Sequence, residues 1–152
     1  MLLPTLITQS RRDAESKSAE TAAMSDQKEA ANKPKQLNFS CHCGAIKVSV
    51  PGDPAPEHIN ECMCSNCRKH GAAWVYYPVE KVTITKTGPT KAYLWDEKIC
   101  EFTWCEACGC TMYWYPTAIF PGGIKKMGIN TRCIDNLDDL ARVERRVTWD
   151  MV

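Results

Sequence analysis

Residues 99–115 read Ile99-Cys100-Glu101-Phe102-Thr103-Trp104-Cys105-Glu106-Ala107-Cys108-Gly109-Cys110-Thr111-Met112-Tyr113-Trp114-Tyr115. Ile99 to Trp104 and Thr111 to Tyr115 are short runs rich in β-branched and aromatic residues, the composition of strands in a packed sheet. Between them lie three cysteines, of which Cys105 and Cys108 stand three apart. Such a pair closes around a metal ion when the chain turns, and Gly109 supplies the backbone freedom that the turn needs. The stretch predicts two strands flanking a metal-binding knuckle.

Outward from here the same texture continues. Further strands are expected at Leu37 to Cys41, Ala45 to Val50, Ile59 to Met63, Ala73 to Tyr77, Val82 to Lys86, Lys91 to Leu94 and Lys126 to Asn130. Breaks fall at Pro51-Gly52-Asp53-Pro54, Gly88-Pro89, Asp96-Glu97 and Pro121-Gly122-Gly123. Asp138-Asp139-Leu140-Ala141 reads as a single helical turn whose acidic start suits the helix dipole. Many short strands with little helix define an all-β or β-rich single domain of packed sheets.

The chain has 152 residues, room for one ordinary domain and one core. Its five Trp, five Tyr, three Phe and ten Cys all lie beyond residue 36. Thr8 to Gln36 also lacks Val, Ile and Leu, so burial there cannot offset ordering entropy, and residues 1–36 are expected to form a disordered tail ahead of a domain at 37–152. No apolar run reaches the roughly 18 residues of a membrane span. Residues 1–36 carry 6 of the 19 Lys/Arg and 5 of the 18 Asp/Glu, which leaves 13 of each in the body. A body of zero formal charge argues against an electrostatically driven nucleic-acid binder.

Ten cysteines pose the choice between disulfides and metal. The apolar start Met1-Leu2-Leu3-Pro4-Thr5-Leu6-Ile7 is short, broken by proline, and followed rather than preceded by Arg11 and Arg12, unlike a secretory signal. A cytoplasmic location is therefore expected, with nucleus and mitochondrion as open alternatives. In those compartments clustered cysteines are more often zinc ligands than bridges. The clusters are Cys41-x-Cys43, Cys62-x-Cys64-x-x-Cys67 and Cys105-x-x-Cys108. On an extended strand Cys41 and Cys43 would face one side and His42 the other. Two pairs make one closed tetrahedral site, while three cysteines leave a fourth position to be found. Spacing leaves open which clusters share an ion, because Cys43 and Cys105 are too far apart for a local zinc ribbon.

The ordered set Cys41-His42-Cys43-Gly44, Cys62-Met63-Cys64-Ser65-Asn66-Cys67-Arg68-Lys69-His70-Gly71 and Cys105-Glu106-Ala107-Cys108-Gly109 resembles the glutathione-dependent formaldehyde-activating enzyme family, which includes the centromere protein V type of domain. Gly71-Ala72-Ala73-Trp74 and Met127-Gly128-Ile129-Asn130 are similar to family positions as well. The resemblance covers about three quarters of the chain, from Phe39 onward. It implies an Mss4-like fold of packed antiparallel sheets with two zinc sites. It implies that Cys41, Cys43, Cys105 and Cys108 hold a structural zinc and that Cys62, Cys64 and Cys67 hold a second zinc near the substrate. Cys110 departs from the pattern, where a small or hydroxyl residue is expected.

Three thiolates and Zn²⁺ sum to a charge of −1, a poor setting for making hydroxide. A soft thiolate suits the fourth position better, and zinc lowers a thiol's pKa enough to deprotonate it near neutrality. Glutathione is a fitting ligand, and carbon–sulfur lyase or synthase chemistry on a glutathione–aldehyde adduct follows, with Cys62, Cys64 and Cys67 as the catalytic metal set. Arg68 and Lys69 are candidates to bind the anionic ligand. The alternative is a non-catalytic two-zinc interaction module of the centromere type, its second zinc closed by His70, Cys110 or another protein donor. Most of Trp74, Tyr76, Tyr77, Trp95, Trp104, Tyr113, Trp114 and Tyr115 are expected in the core, and Cys100 and Cys133 are expected to behave as small buried hydrophobes.

Overall fold

Alternating apolar residues turn into sheets wherever one face can be buried. The computed structural model describes residues 35–119 and 125–149; the expected tail lies outside them except for Lys35 and Gln36. Ten strands are present among the described residues: β1 Gln36–Ser40, β2 Ile46–Pro51, β3 Ile59–Cys62, β4 Trp74–Pro78, β5 Thr83–Lys86, β6 Thr90–Trp95, β7 Cys100–Cys105, β8 Thr111–Pro116, β9 Lys126–Asn130 and β10 Arg145–Thr148. One short helix, α1 Ser65–Lys69, follows β3. The acidic stretch near residue 138 forms a 3-10 turn over Leu137–Leu140, capped by the Asn136 side chain.

The strands form a three-stranded sheet of order β1-β2-β5 and a seven-stranded sheet of order β10-β3-β4-β9-β8-β7-β6. Neighbours run antiparallel, apart from β10, which lies parallel to β3 with Arg145 opposite Ile59 and Thr148 opposite Cys62. In the small sheet Phe39 pairs with Val48, and Leu37, Phe39, Ile46, Val48 and Val50 are all buried. Together they form one hydrophobic face.

That face meets Val75 and Tyr77 of β4, Tyr113 of β8, and Met127 and Ile129 of β9 in the principal core. The period of two then assigns the opposite face. Trp74 of β4, Phe102 of β7 and Trp114 of β8 pack with Cys62 and Cys67 into a second core, with Tyr76 and Trp95 against it. Gly128 makes this arrangement possible, because a Cβ there would overlap the Trp114 indole. The aromatic residues of β4, β7 and β8 are therefore largely structural, and they wall in the three-cysteine loop. No helix among the described residues is long and apolar enough to cross a membrane.

Candidate metal centres

Two knuckles of similar build hold the first centre. Cys41 and Cys43 lie in the turn between β1 and β2, where Gly44 N–H donates to Cys41 O at 2.8 Å and Cys41 N–H to Ile46 O at 3.0 Å. The expected extended strand is replaced by a tight loop, because the two cysteines sit at the tip where β1 folds back on β2. Cys105 and Cys108 occupy the matching tip between β7 and β8, closed by Gly109 N–H to Cys105 O at 2.8 Å. Gly44 and Gly109 both adopt left-handed φ, +76° and +74°, a conformation that favours glycine.

The four sulfurs lie within 4.8 Å of one another. Cys41 and Cys43 sulfurs are 3.5 Å apart and Cys43 and Cys105 sulfurs 3.6 Å apart. Thiolates at about 2.3 Å from a tetrahedral zinc would stand about 3.8 Å apart, so the set fits such an ion closely. Backbone N–H groups of Cys110 and Cys43 hold the Cys108 thiol down to about 6. The Ala45 N–H pulls the Cys43 thiol down, but the neighbouring sulfurs of Cys41 and Cys105 push it up to about 12. Backbone N–H groups thus favour the charged form at Cys108 while the crowded sulfurs oppose it at Cys43, a repulsion that a cation among them would relieve.

Cys62, at the end of β3, Cys64, at the N-cap of α1, and Cys67, within it, form the second centre, again with sulfurs within 4.8 Å. Among the described residues the group stops at three donors. Cys67 is fully buried, and burial pushes its thiol up, helped by Cys64 and Cys62 and opposed by a hydrogen bond from the Trp74 indole. Burial likewise raises Cys62. An all-thiol set this close, with Cys62 and Cys67 buried and Cys64 partly exposed, fits a soft divalent cation.

The other candidates fall into place around these centres. Cys110 belongs beside the first, where its sulfur accepts from His42 N–H at 3.5 Å. His42 therefore contributes its main chain, and its ring is exposed. His70 caps α1 at its C-terminus and its Nδ1 lies 3.3 Å from Thr111 Oγ1. Arg68 and Lys69 occupy the exposed last turn of α1 and form no ion pair among the described residues. His58 sits 3.4 Å from Arg146 in a surface charge network with Glu57. Cys100 is fully buried in the second core and burial pushes its thiol up to about 12; Cys133 is partly buried against the principal core.

Asn60 had no signal in the sequence, while Trp74 and Asn130 stood out only as members of motifs similar to family positions, with no partner assigned. Asn60 on β3 is buried; its amide donates to Tyr76 Oη at 2.5 Å and its carbonyl accepts from Thr148 Oγ1 at 2.6 Å. Asn130, also buried, accepts from Ala73 N–H at 3.3 Å and donates to Thr111 O at 2.8 Å, tying β9 to the loop after α1 and to β8. The Trp74 indole N–H donates to Cys67 Sγ at 3.2 Å. Buried polar groups on central strands predict only that partners exist, and the partners lie on other strands.

The fold and the site define a β-rich protein with two cysteine clusters able to hold metal ions. The family model of the glutathione-dependent formaldehyde-activating enzymes matches residues 36–147, and the chain belongs to that family. A crystal structure of a Rhodobacter sphaeroides protein shares the fold with a TM-score of 0.57 at 21% identity, over 72% of this chain and 99% of that one.

Proposed function

We propose that the protein is a zinc-dependent carbon–sulfur lyase or synthase acting on glutathione–aldehyde adducts such as S-hydroxymethylglutathione. The observation that carries the reading is the unequal donor count: four sulfurs at one centre and three at the other. Four thiolates close a tetrahedron, which suits a structural role, whereas three call for a donor from outside the protein. In support, His70 Nδ1 lies 3.3 Å from Thr111 Oγ1, the Cys110 sulfur accepts from His42 N–H beside the first centre, and the three sulfurs gather no further His, Cys or carboxylate donor among the described residues.

Cys62, Cys64 and Cys67 would hold the zinc, which when bound supplies Lewis acidity enough to keep a thiol substrate as its thiolate. The chain's own residues do the rest. The second core of Trp74, Phe102 and Trp114 keeps water from the buried side of the loop, and low polarity there strengthens every charge interaction with the ligand. Arg68 and Lys69, exposed on the adjoining turn, offer cations to the carboxylates of glutathione.

X-ray absorption at the zinc edge tests the reading. Added glutathione should raise the mean sulfur count from about 3.5 to about 4 per zinc, the average of a closed site and one that gains a sulfur. A count unmoved by glutathione would reject it.

A further inference from the structure

Two sulfurs of the three-cysteine centre receive N–H groups. Cys64 Sγ takes the backbone N–H of Cys67 at 3.4 Å, a donor that belongs to the metal loop itself and comes with its folding. The other is different in kind: Cys67 Sγ takes the indole N–H of Trp74, from strand β4, at 3.2 Å.

The indole is held in place independently of any metal. Trp74 is fully buried and meets Phe102 edge-on with ring centroids 5.7 Å apart, and Phe102 in turn meets Trp95 edge-on at 6.3 Å. This aromatic ladder fixes the plane of the ring, and so fixes the direction of its only polar bond. An indole N–H is a donor with no acceptor capacity, and a fully buried one has no water to turn to. Its bond to a sulfur is strongest when that sulfur is a thiolate.

We propose that Trp74 is a positioning residue of the three-cysteine centre, its N–H fixing the direction of the Cys67 sulfur and, once an ion is held, drawing charge from that sulfur, so that the ion is gripped firmly yet accepts a further thiolate. The first half concerns metal affinity alone; the second rests on the function proposed above. Three thiolates already outweigh Zn²⁺ by one charge, and a fourth would make the centre −2, so each N–H that spreads charge off a sulfur favours the incoming ligand.

The test separates the two halves. In the full chain, Trp74→Phe keeps an aromatic ring against Phe102 and deletes the N–H. 3-Benzothienylalanine incorporated at position 74 keeps the whole bicyclic shape and also lacks the donor. Zinc affinity is read by competition with a chromophoric chelator, with the four-cysteine centre as internal reference. Both variants should bind the weaker zinc about tenfold less tightly, within the range for lost outer hydrogen bonds to metal ligands, while the tighter zinc is unchanged. Wild-type zinc affinity in the benzothienyl variant overturns the proposal, even if Trp74→Phe unfolds, because packing alone would then account for Trp74. With excess zinc, the Kd for glutathione measured by calorimetry should rise several-fold in the benzothienyl variant. Absence of glutathione binding by the wild-type chain would defeat the thiol-binding function, and the zinc measurement would still decide the role of Trp74 in metal binding.

Discussion

The sulfurs of Cys43 and Cys105 lie 3.6 Å apart although 62 residues separate them in the chain. One belongs to the hairpin tip of the small sheet and the other to a hairpin tip of the large sheet, so a metal ion between them would staple the two sheets at their ends.

Cys105→Ser should therefore abolish the cooperative thermal transition seen by circular dichroism. Zinc at a structural site contributes roughly 10–16 kcal/mol of apparent binding free energy, and a domain's net stability is about 5–15 kcal/mol. A strong chelator should have the same effect on the wild-type chain. A variant that melts like wild type after losing this metal would show that the cores suffice.

Cys64→Ala should behave differently, since its centre lies at the edge of the second core and joins residues close in sequence. Metal content should fall from about two ions per chain to about one, the fold should survive, and turnover of a glutathione–formaldehyde adduct should drop by at least about a hundredfold. Elemental analysis and a coupled assay read both quantities on one sample.

Gly128→Ala should destabilise the domain by about 1–3 kcal/mol or more, because the new methyl group would occupy the space of the Trp114 indole between β8 and β9. Urea unfolding measures it. The damage should reach the second centre as well, since Trp114 packs in the same core as Cys62 and Cys67.

Tyr77→Phe should leave stability at pH 7 equal or slightly higher. The Tyr77 hydroxyl is buried without a hydrogen-bond partner among the described residues, and deleting an unsatisfied polar atom relieves its desolvation cost. Burial pushes the hydroxyl up to about 12 from 10. The folded pKa is raised, so the contribution to stability is complete below about pH 10 and is lost as pH rises towards 12. The variant should lack that part of the alkaline loss, which denaturant melts across pH 9 to 12 would reveal.

Much of this fold could be read locally. All nine strands expected from composition and turn residues are present within a residue or two, because period-two burial and Gly/Pro breaks are properties of short segments. β10 escaped notice: Arg145-Arg146-Val147-Thr148 has no apolar alternation, and it is a strand because the edge of β3 offers hydrogen bonds and Glu61 offers Arg145 a carboxylate at 2.8 Å. Helix α1 escaped as well, since five residues carry no periodicity, and Cys64 at its start caps it with sulfur.

The Cys105–Cys108 knuckle, the grouping of cysteines into spaced motifs and the family those motifs mark were legible in the residues alone, since each depends on positions a few residues apart, whereas the loop at Cys41 and Cys43 was expected as extended strand. Spacing left open which clusters share an ion until the family resemblance grouped them, and the folded chain brings the two hairpin tips within 3.6 Å, sets Cys110 beside the first centre and His70 against Thr111, and aims the Trp74 N–H at Cys67. Those relations join segments whose separation along the chain says nothing of distance in space, and packing of the two sheets sets them.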